Sequence, residues 1–245
     1  MKNELLFQVW PYAAFVLFCV GLATRYVAGG KRRSGSISEL REARSLFRGR
    51  LWRFGFLALL LGHLAGLLFP DQILLWNSVT VKLYLLEGFA FASGLAALAG
   101  WVVLIWRQLA PSRGTVLSQS SDAIFLALLL VALLSGLVAA GRYRWASSWG
   151  VLTLTPYARS VLRGQPVTAL AAGMPFLVQL HVVSALAALA ALPFTRLALL
   201  LLARLRRGLG FVFKPVVAFT RLCRRTLEAW LQKHHPTLWI WPEED

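Results

Sequence analysis

The chain has 245 residues, 58% of them hydrophobic, and a mean hydropathy of +0.64. Soluble domains run nearer about 45–50% apolar and seldom repeat apolar runs of membrane-crossing length, so an ordinary soluble fold is excluded. The net charge of +16 sits in segments flanking the apolar runs, where it serves as a topology signal and a contact for anionic lipid rather than a nucleic-acid surface.

A helix needs about 20 mostly apolar residues to cross the bilayer core. Five stretches qualify, at about 5–27, 51–70, 82–106, 122–141 and 175–203. The first, "LLFQVWPYAAFVLFCVGLATRYV", has no early basic region or small-residue cleavage site, and its positive flank follows it. It therefore reads as a retained span rather than a signal peptide. The next connection, 28–50, carries Lys31, Arg32, Arg33, Arg41, Arg44, Arg48 and Arg50, whereas "DQILLWNSVTV" at 71–81 has no Lys or Arg. The third connection carries Arg107 and Arg113. Charge bias thus puts the N-terminus outside and the C-terminus in the cytoplasm. The fourth connection, 142–174, must then be external despite Arg142, Arg144, Arg159 and Arg163.

These features predict an all-α polytopic membrane protein, a five-helix bundle over 1–205, with a basic amphipathic cytoplasmic tail at 206–245 that lies on lipid or on a partner. Arg196, in "PFTRL", reads as a contact for lipid phosphate or a partner. Cys19 and Cys223 form no CxxC motif, which rules out cysteine-ligated clusters within the chain. No internal repeat and no Gly/Pro-broken pair of spans is visible, which weighs against a transporter.

Of four histidines, only His63 and His181 fall in spans. His63 lies seven residues before Pro70, the outer end of the second span; His181 lies six after Pro175, the outer start of the fifth. Each is therefore roughly 9–11 Å below the outer boundary, and the two spans run antiparallel, so the imidazoles meet at one level. An imidazole in lipid costs free energy unless its polar atoms find partners. Two at one depth point to a shared partner, and haem iron takes axial ligands of this kind. Gly62, Ala65, Gly66 and Ser184 leave room for a flat macrocycle. The plainer alternative is an interhelical hydrogen bond for each ring. Zinc fits less well, because no third or fourth ligand is apparent.

Three stretches, "GHLAGLLFP", "SSWGVLTLTPYARSVLRGQPV" and "FLVQLHVVSALAALAALPFTRL", resemble the gamma (cytochrome b) subunit family of respiratory nitrate reductase, over nearly all of 5–205. The resemblance implies a subunit of the inner membrane that oxidises quinol and passes electrons to an iron–sulfur subunit and a molybdenum catalytic subunit. It also implies two stacked haems b, with His63 and His181 matching the pair on the outer one. The histidines of the inner pair are replaced here by Arg53 and Leu199, so one haem b is expected. An external partner would then be somewhat favoured over a cytoplasmic one.

By the same resemblance Lys82 matches a quinol-binding lysine, and Gly62 would let the quinone headgroup approach; a snorkelling lysine is the alternative. Glu87, a carboxylate within a span, is a candidate partner of Lys82 or of a quinol hydroxyl. Arg142, Arg144 or Arg159 could pair with haem propionates. The alternatives left open are a related cytochrome b serving a sulfur-compound or heterodisulfide-type reductase, a nitrite oxidoreductase subunit, and a cofactor-free membrane anchor or transporter.

Overall fold

The computed structural model describes residues 2–31, 49–109, 120–198 and 202. The chain divides into two units, Met1–Leu200 and Leu201–Asp245, and the structure below is that of the first. Leu199, Cys223, His234, His235 and the basic tail lie outside the described residues.

With no water in the bilayer core, each segment must satisfy its own backbone, and apolar runs of this length do so as helices. The elements are α1 (Lys2–Lys31), α2 (Arg50–Leu68), α3 (Pro70–Asn77), α4 (Thr80–Leu109), α5 (Ser120–Arg142), α6 (Ala146–Leu162), α7 (Thr168–Ala172) and α8 (Phe176–Ala191). Five stretches are long and apolar enough to cross a membrane: Glu4–Tyr26, Arg50–Leu68, Thr80–Arg107, Ser120–Arg142 and Phe176–Phe194. The exposed Phe15, Leu61, Leu85 and Ile124 face outward from these helices, as lipid-facing side chains do.

Packing runs around the bundle as α2 on α4, α4 on α5, α5 on α8 and α8 on α1, whereas α2 and α8 have almost no backbone contact. The α2–α4 seam is closed at one end by glycines. A Cβ on Gly55 would stand 2.4 Å from the Ala97 nitrogen, and one on Gly100 2.5 Å from Trp52 backbone. Such close approach is how membrane helices associate without a hydrophobic driving force. Farther along α2, a Cβ on Gly62 would meet nothing within 4 Å. The closed half holds the main core: Trp52, Ala97, Leu104, Phe125, Leu126, Leu133, Ala188 and Leu197, with Phe56, Leu59, Trp101 and Leu192 packed against it.

The fifth span differs from the continuous helix expected over 175–203. Helix α8 ends at Ala191 and gives way to a 3₁₀ turn, Leu192–Phe194, after which Thr195 is extended. Pro193 lacks an N–H and crowds the preceding turn, which breaks the ladder. The freed groups find side-chain partners. Arg25 donates to the Phe194 and Thr195 carbonyls at 2.9 and 2.7 Å, and the Arg196 N–H donates to Asp122 Oδ1 at 2.9 Å. Arg196 Nε also pairs with Asp122 Oδ2 at 2.6 Å, with both side chains buried. The expectation that Arg196 reaches lipid phosphate or a partner is thus corrected: a carboxylate on α5 holds it inside the bundle.

At the opposite end, connections read as loops contain the helices α3, α6 and α7. The N–H groups of Asn77 reach Ser147 and Ser148 Oγ at 3.0 Å, tying α3 to α6. The Tyr157 hydroxyl donates to the Phe7 carbonyl at 2.7 Å, and that of Tyr12 to the Val161 carbonyl at 3.0 Å, tying α6 to α1. This capped end overlies the gap between α2 and α8.

Candidate functional site

The two span histidines meet across that gap. Their ring centres are 5.9 Å apart and their planes are inclined by 31°. His63 Nδ1 lies 2.7 Å from the Leu59 carbonyl one turn back on its own helix, and His181 Nδ1 lies 2.8 Å from the Ala132 carbonyl on α5. A carbonyl only accepts, so each ring donates from Nδ1 and has Nε2 as the nitrogen not engaged by that carbonyl. This is how ligating histidines are commonly held, with the non-ligating nitrogen donating to an oxygen that fixes tautomer and orientation.

His181 also rests in a notch. A Cβ on Gly136 would lie 2.8 Å from both Cε1 and Nδ1 of its ring, so the position tolerates only glycine while the ring stays where it is.

These residues fit a haem. An imidazole nitrogen about 2.0–2.1 Å from a metal and about 1.1 Å from its ring centre puts two opposed rings about 6.3 Å apart, close to the observed spacing. Helices α2 and α8 have almost no backbone contact although their imidazoles meet, a spacing compatible with a flat group held between bundle helices. Among the described residues no group of three or more His, Cys, Asp or Glu gathers to hold a bare ion; a macrocycle would bring its own four nitrogens.

Helix α6 holds the end of α2 that carries His63. A helix leaves its last four carbonyls without intrahelical partners, which is costly near lipid. Here Phe69 N–H donates to Ala65 O at 2.8 Å, Thr155 Oγ1 to Gly66 O at 3.1 Å, and Arg159 Nη2 to Leu67 O at 3.0 Å. Thr155 and Arg159 are one turn apart on α6, so a single helix face closes two successive carbonyls. Neither contact was legible as such. Arg159 reads in the sequence as a solvated loop charge or a propionate partner, and nothing in the sequence marks Thr155.

The other predicted residues separate. Gly62 and His63 are exposed on α2, and Gly62 has open space beside it. Lys82, at the start of α4, lies over the Trp76 ring with Nζ 5.2 Å from its centre, and Trp76 Nε1 donates to the Lys82 carbonyl at 3.0 Å. Glu87 does not join it: its Oε1 accepts from the Ser147 N–H at 2.7 Å, in the first turn of α6. The Lys82–Glu87 pair anticipated from sequence does not form. The positive end of a helix, with unpaired N–H groups, is the stronger local attraction for a carboxylate. Glu87 and Arg144 line a shallow cleft of ≈ 330 Å³ with Tyr84, Gly88, Phe91 and Trp145. Arg142 and Arg163 are exposed, and so is Arg53, at the far end of α2.

Five membrane-length helices, capped at one end by short helices and presenting two anchored imidazoles across an internal slot, define the class: a helical integral-membrane protein with a paired-histidine site. The chain belongs to the nitrate reductase gamma subunit family, which matches residues 3–221. It is 29% identical over 203 residues to the nitrate reductase gamma chain of Bacillus subtilis (strain 168), covering 80% of this chain and 90% of that one. To the respiratory nitrate reductase 2 gamma chain of Escherichia coli (strain K12) it is 28% identical over 202 residues, covering 80% and 88%. It is also 29% identical over 234 residues to the nitrate reductase-like protein NarX of Mycobacterium tuberculosis (strain ATCC 25618 / H37Rv), where the match covers 89% of this chain but 34% of that longer protein.

Proposed function

We propose that the chain is the quinol-oxidising membrane subunit of a nitrate-reductase-like complex, holding one haem b between His63 and His181. The observation that carries this reading is the imidazole pair itself, with rings 5.9 Å apart and both Nδ1 atoms fixed on carbonyls. When bound, haem would supply a one-electron relay between a two-electron quinol and the redox centres of partner subunits.

A single haem is favoured because the half of the bundle remote from α6 is packed with side chains. Trp52 stacks on Phe56 at 5.4 Å, and both belong to the continuous core. Arg53, which stands where the family resemblance implies a further ligand, is exposed and cannot serve as an axial imidazole.

Quinol would approach in the open space beside Gly62, placing its headgroup next to His63. Lys82 would donate to the headgroup oxygen, its ammonium steadied by the Trp76 face. Glu87, in its separate cleft, would act as an acceptor on the proton path. The exposed Arg142, the last residue of α5, and Arg144, just beyond it, are the better placed propionate partners, since Arg159 already closes Leu67 O. In the cell this assembly would sit in the inner membrane with the capped end outward, alongside an iron–sulfur subunit and a molybdenum subunit.

The test is haem per polypeptide and the reduced-minus-oxidised spectrum of the purified protein. We expect one haem per chain, lost on His63→Ala and on His181→Ala. Retention of an unaltered spectrum in either variant would refute the ligand assignment, and two haems per chain would refute the single-site reading. The identity of the co-purifying subunits separates a nitrate-reductase-like complex from the sulfur-compound alternative.

A further inference from the structure

We infer that the redox partner of this chain docks on the capped end, the face built by α3, α6 and α7, and that it presents an acidic surface there. The inference rests on the imidazole pair marking the redox site.

The first support is position. His63 is five residues from Leu68, the capped end of α2, and 13 from Arg50 at the other; His181 is five residues from Phe176 and 13 from Phe194. Both helices therefore agree. At 1.5 Å per residue the pair lies about 8 Å from the capped end and about 20 Å from the opposite end. Electron tunnelling falls off exponentially with distance, so a centre approaching the capped end has a large advantage. Nothing along the remaining length shortens the longer route: that half is filled by Trp52, Phe56, Leu126, Ala188 and their neighbours, and closed by the buried Asp122–Arg196 pair.

The second support is charge. The segments at the capped end, 2–4, 70–82 and 142–175, together with the nearby Glu87, carry Lys2, Lys82, Arg142, Arg144, Arg159 and Arg163 against Glu4, Asp71 and Glu87. Six cations thus stand against three carboxylates. One of those carboxylates is already engaged by the first turn of α6, while Lys82, Arg142, Arg144 and Arg163 are exposed. A cationic external face runs against the usual topology bias. Complementarity to a carboxylate-rich partner gives it a purpose, steering encounter and fixing register.

The test uses sealed membrane vesicles carrying the whole complex, prepared in both orientations. The exposed side is read, on an aliquot first stripped of partner subunits by high salt, with an impermeant maleimide on Leu162→Cys in a background with Cys19 and Cys223 both replaced by Ser, since Leu162 is exposed on α6. Ferricyanide, an impermeant anionic one-electron oxidant, is the probe. We expect it to reoxidise the reduced absorbance band at least about tenfold faster, and high salt to release bound molybdenum, only where the capped end faces the medium. Arg163→Glu should slow the reoxidation and lower retained molybdenum with the band unchanged, whereas Arg163→Lys should do neither. Equal or faster reoxidation from the opposite side, or molybdenum released only from that side, would overturn the docking face. Absence of any band would instead overturn the haem reading on which it rests.

Discussion

Gly136 offers the sharpest test of the histidine slot, because the replacement with alanine should stabilise a helix and here should do the reverse. In a free helix Gly→Ala gains about 1 kcal/mol. At this position the new Cβ would stand 2.8 Å from Cε1 and Nδ1 of His181, where ordinary contact is about 3.5–4.0 Å. The ring must retreat by about 0.7 Å or more. Moving Nδ1 that far from the Ala132 carbonyl, now at 2.8 Å, stretches the hydrogen bond to about 3.5 Å, past its useful range. Overpacking of this kind costs about 1–3 kcal/mol, and the lost hydrogen bond about 1 kcal/mol more. Metal–ligand distances tolerate only about ±0.2 Å, so the displaced imidazole should leave the iron. The assay is haem per chain together with the thermal midpoint of Gly136→Ala in detergent. Gly94→Ala is the control: its Cβ would meet only the far end of Leu137, at 2.7 Å, which can rotate away. Gly136→Ala with full haem, an unshifted spectrum and a raised midpoint would refute the account of the notch.

Three further outcomes follow from contacts elsewhere. Asp122→Asn leaves the buried Arg196 without its counter-charge and should cost about 3–5 kcal/mol, read as a lowered thermal midpoint, while Asp122→Leu combined with Arg196→Leu should recover most of it. Thr155→Val and Arg159→Gln each strand a carbonyl at the end of α2; we expect losses of about 1 and about 2 kcal/mol, accompanied by a changed haem redox midpoint. A shift with Arg159→Gln but none with the uncharged Thr155→Val would indicate a charge effect on the cofactor instead of positioning of His63. Burial on α6, with a smaller contribution from Tyr12, pushes the Tyr157 hydroxyl up from 10.0 to about 12. Its stabilising contribution is therefore complete below pH 10 and is lost as pH rises toward about 12, and Tyr157→Phe should flatten that part of the stability curve.

Much of the architecture could be read before any coordinates, because length and apolarity are nearly sufficient to identify a membrane helix. The meeting of His63 with His181 was legible for a related reason: depth in a bilayer is countable from helix ends. Partners of charged residues were not legible. Arg196 sits near the end of an apolar run, where snorkelling to the interface is the ordinary expectation, and only the break at Pro193 turns its backbone and side chain onto Asp122. Nothing in "SSDAIF" announces that this aspartate is buried. Glu87 and Lys82 failed to pair because a spacing of five residues aligns them loosely, while each had a closer partner on another element, Ser147 and Trp76. The helices within the external connection carry mixed apolar and polar residues over fewer than 20 positions, too short for the signal that reveals spans.

The two halves of the bundle are built on different physical terms, and the difference bears on energy coupling. One half is closed by Gly55 and Gly100 against neighbouring backbone, by a packed aliphatic and aromatic core, and by a buried ion pair; it contains no span histidine. The other half has an uncovered Gly62, almost no backbone contact between α2 and α8, and polar side chains of α6 closing the last carbonyls of α2. A quinol oxidised at the open end releases its two protons there. If the electrons also leave at that end, as the position of the histidines favours, no charge crosses the bilayer with them. A second redox group in the packed half would make the reaction electrogenic, and that would require replacing the Trp52–Phe56 stack and its neighbours rather than merely adding ligands. Measuring membrane potential in vesicles during quinol oxidation would therefore report on core packing: a potential coupled to turnover would mean that the packed half conducts after all.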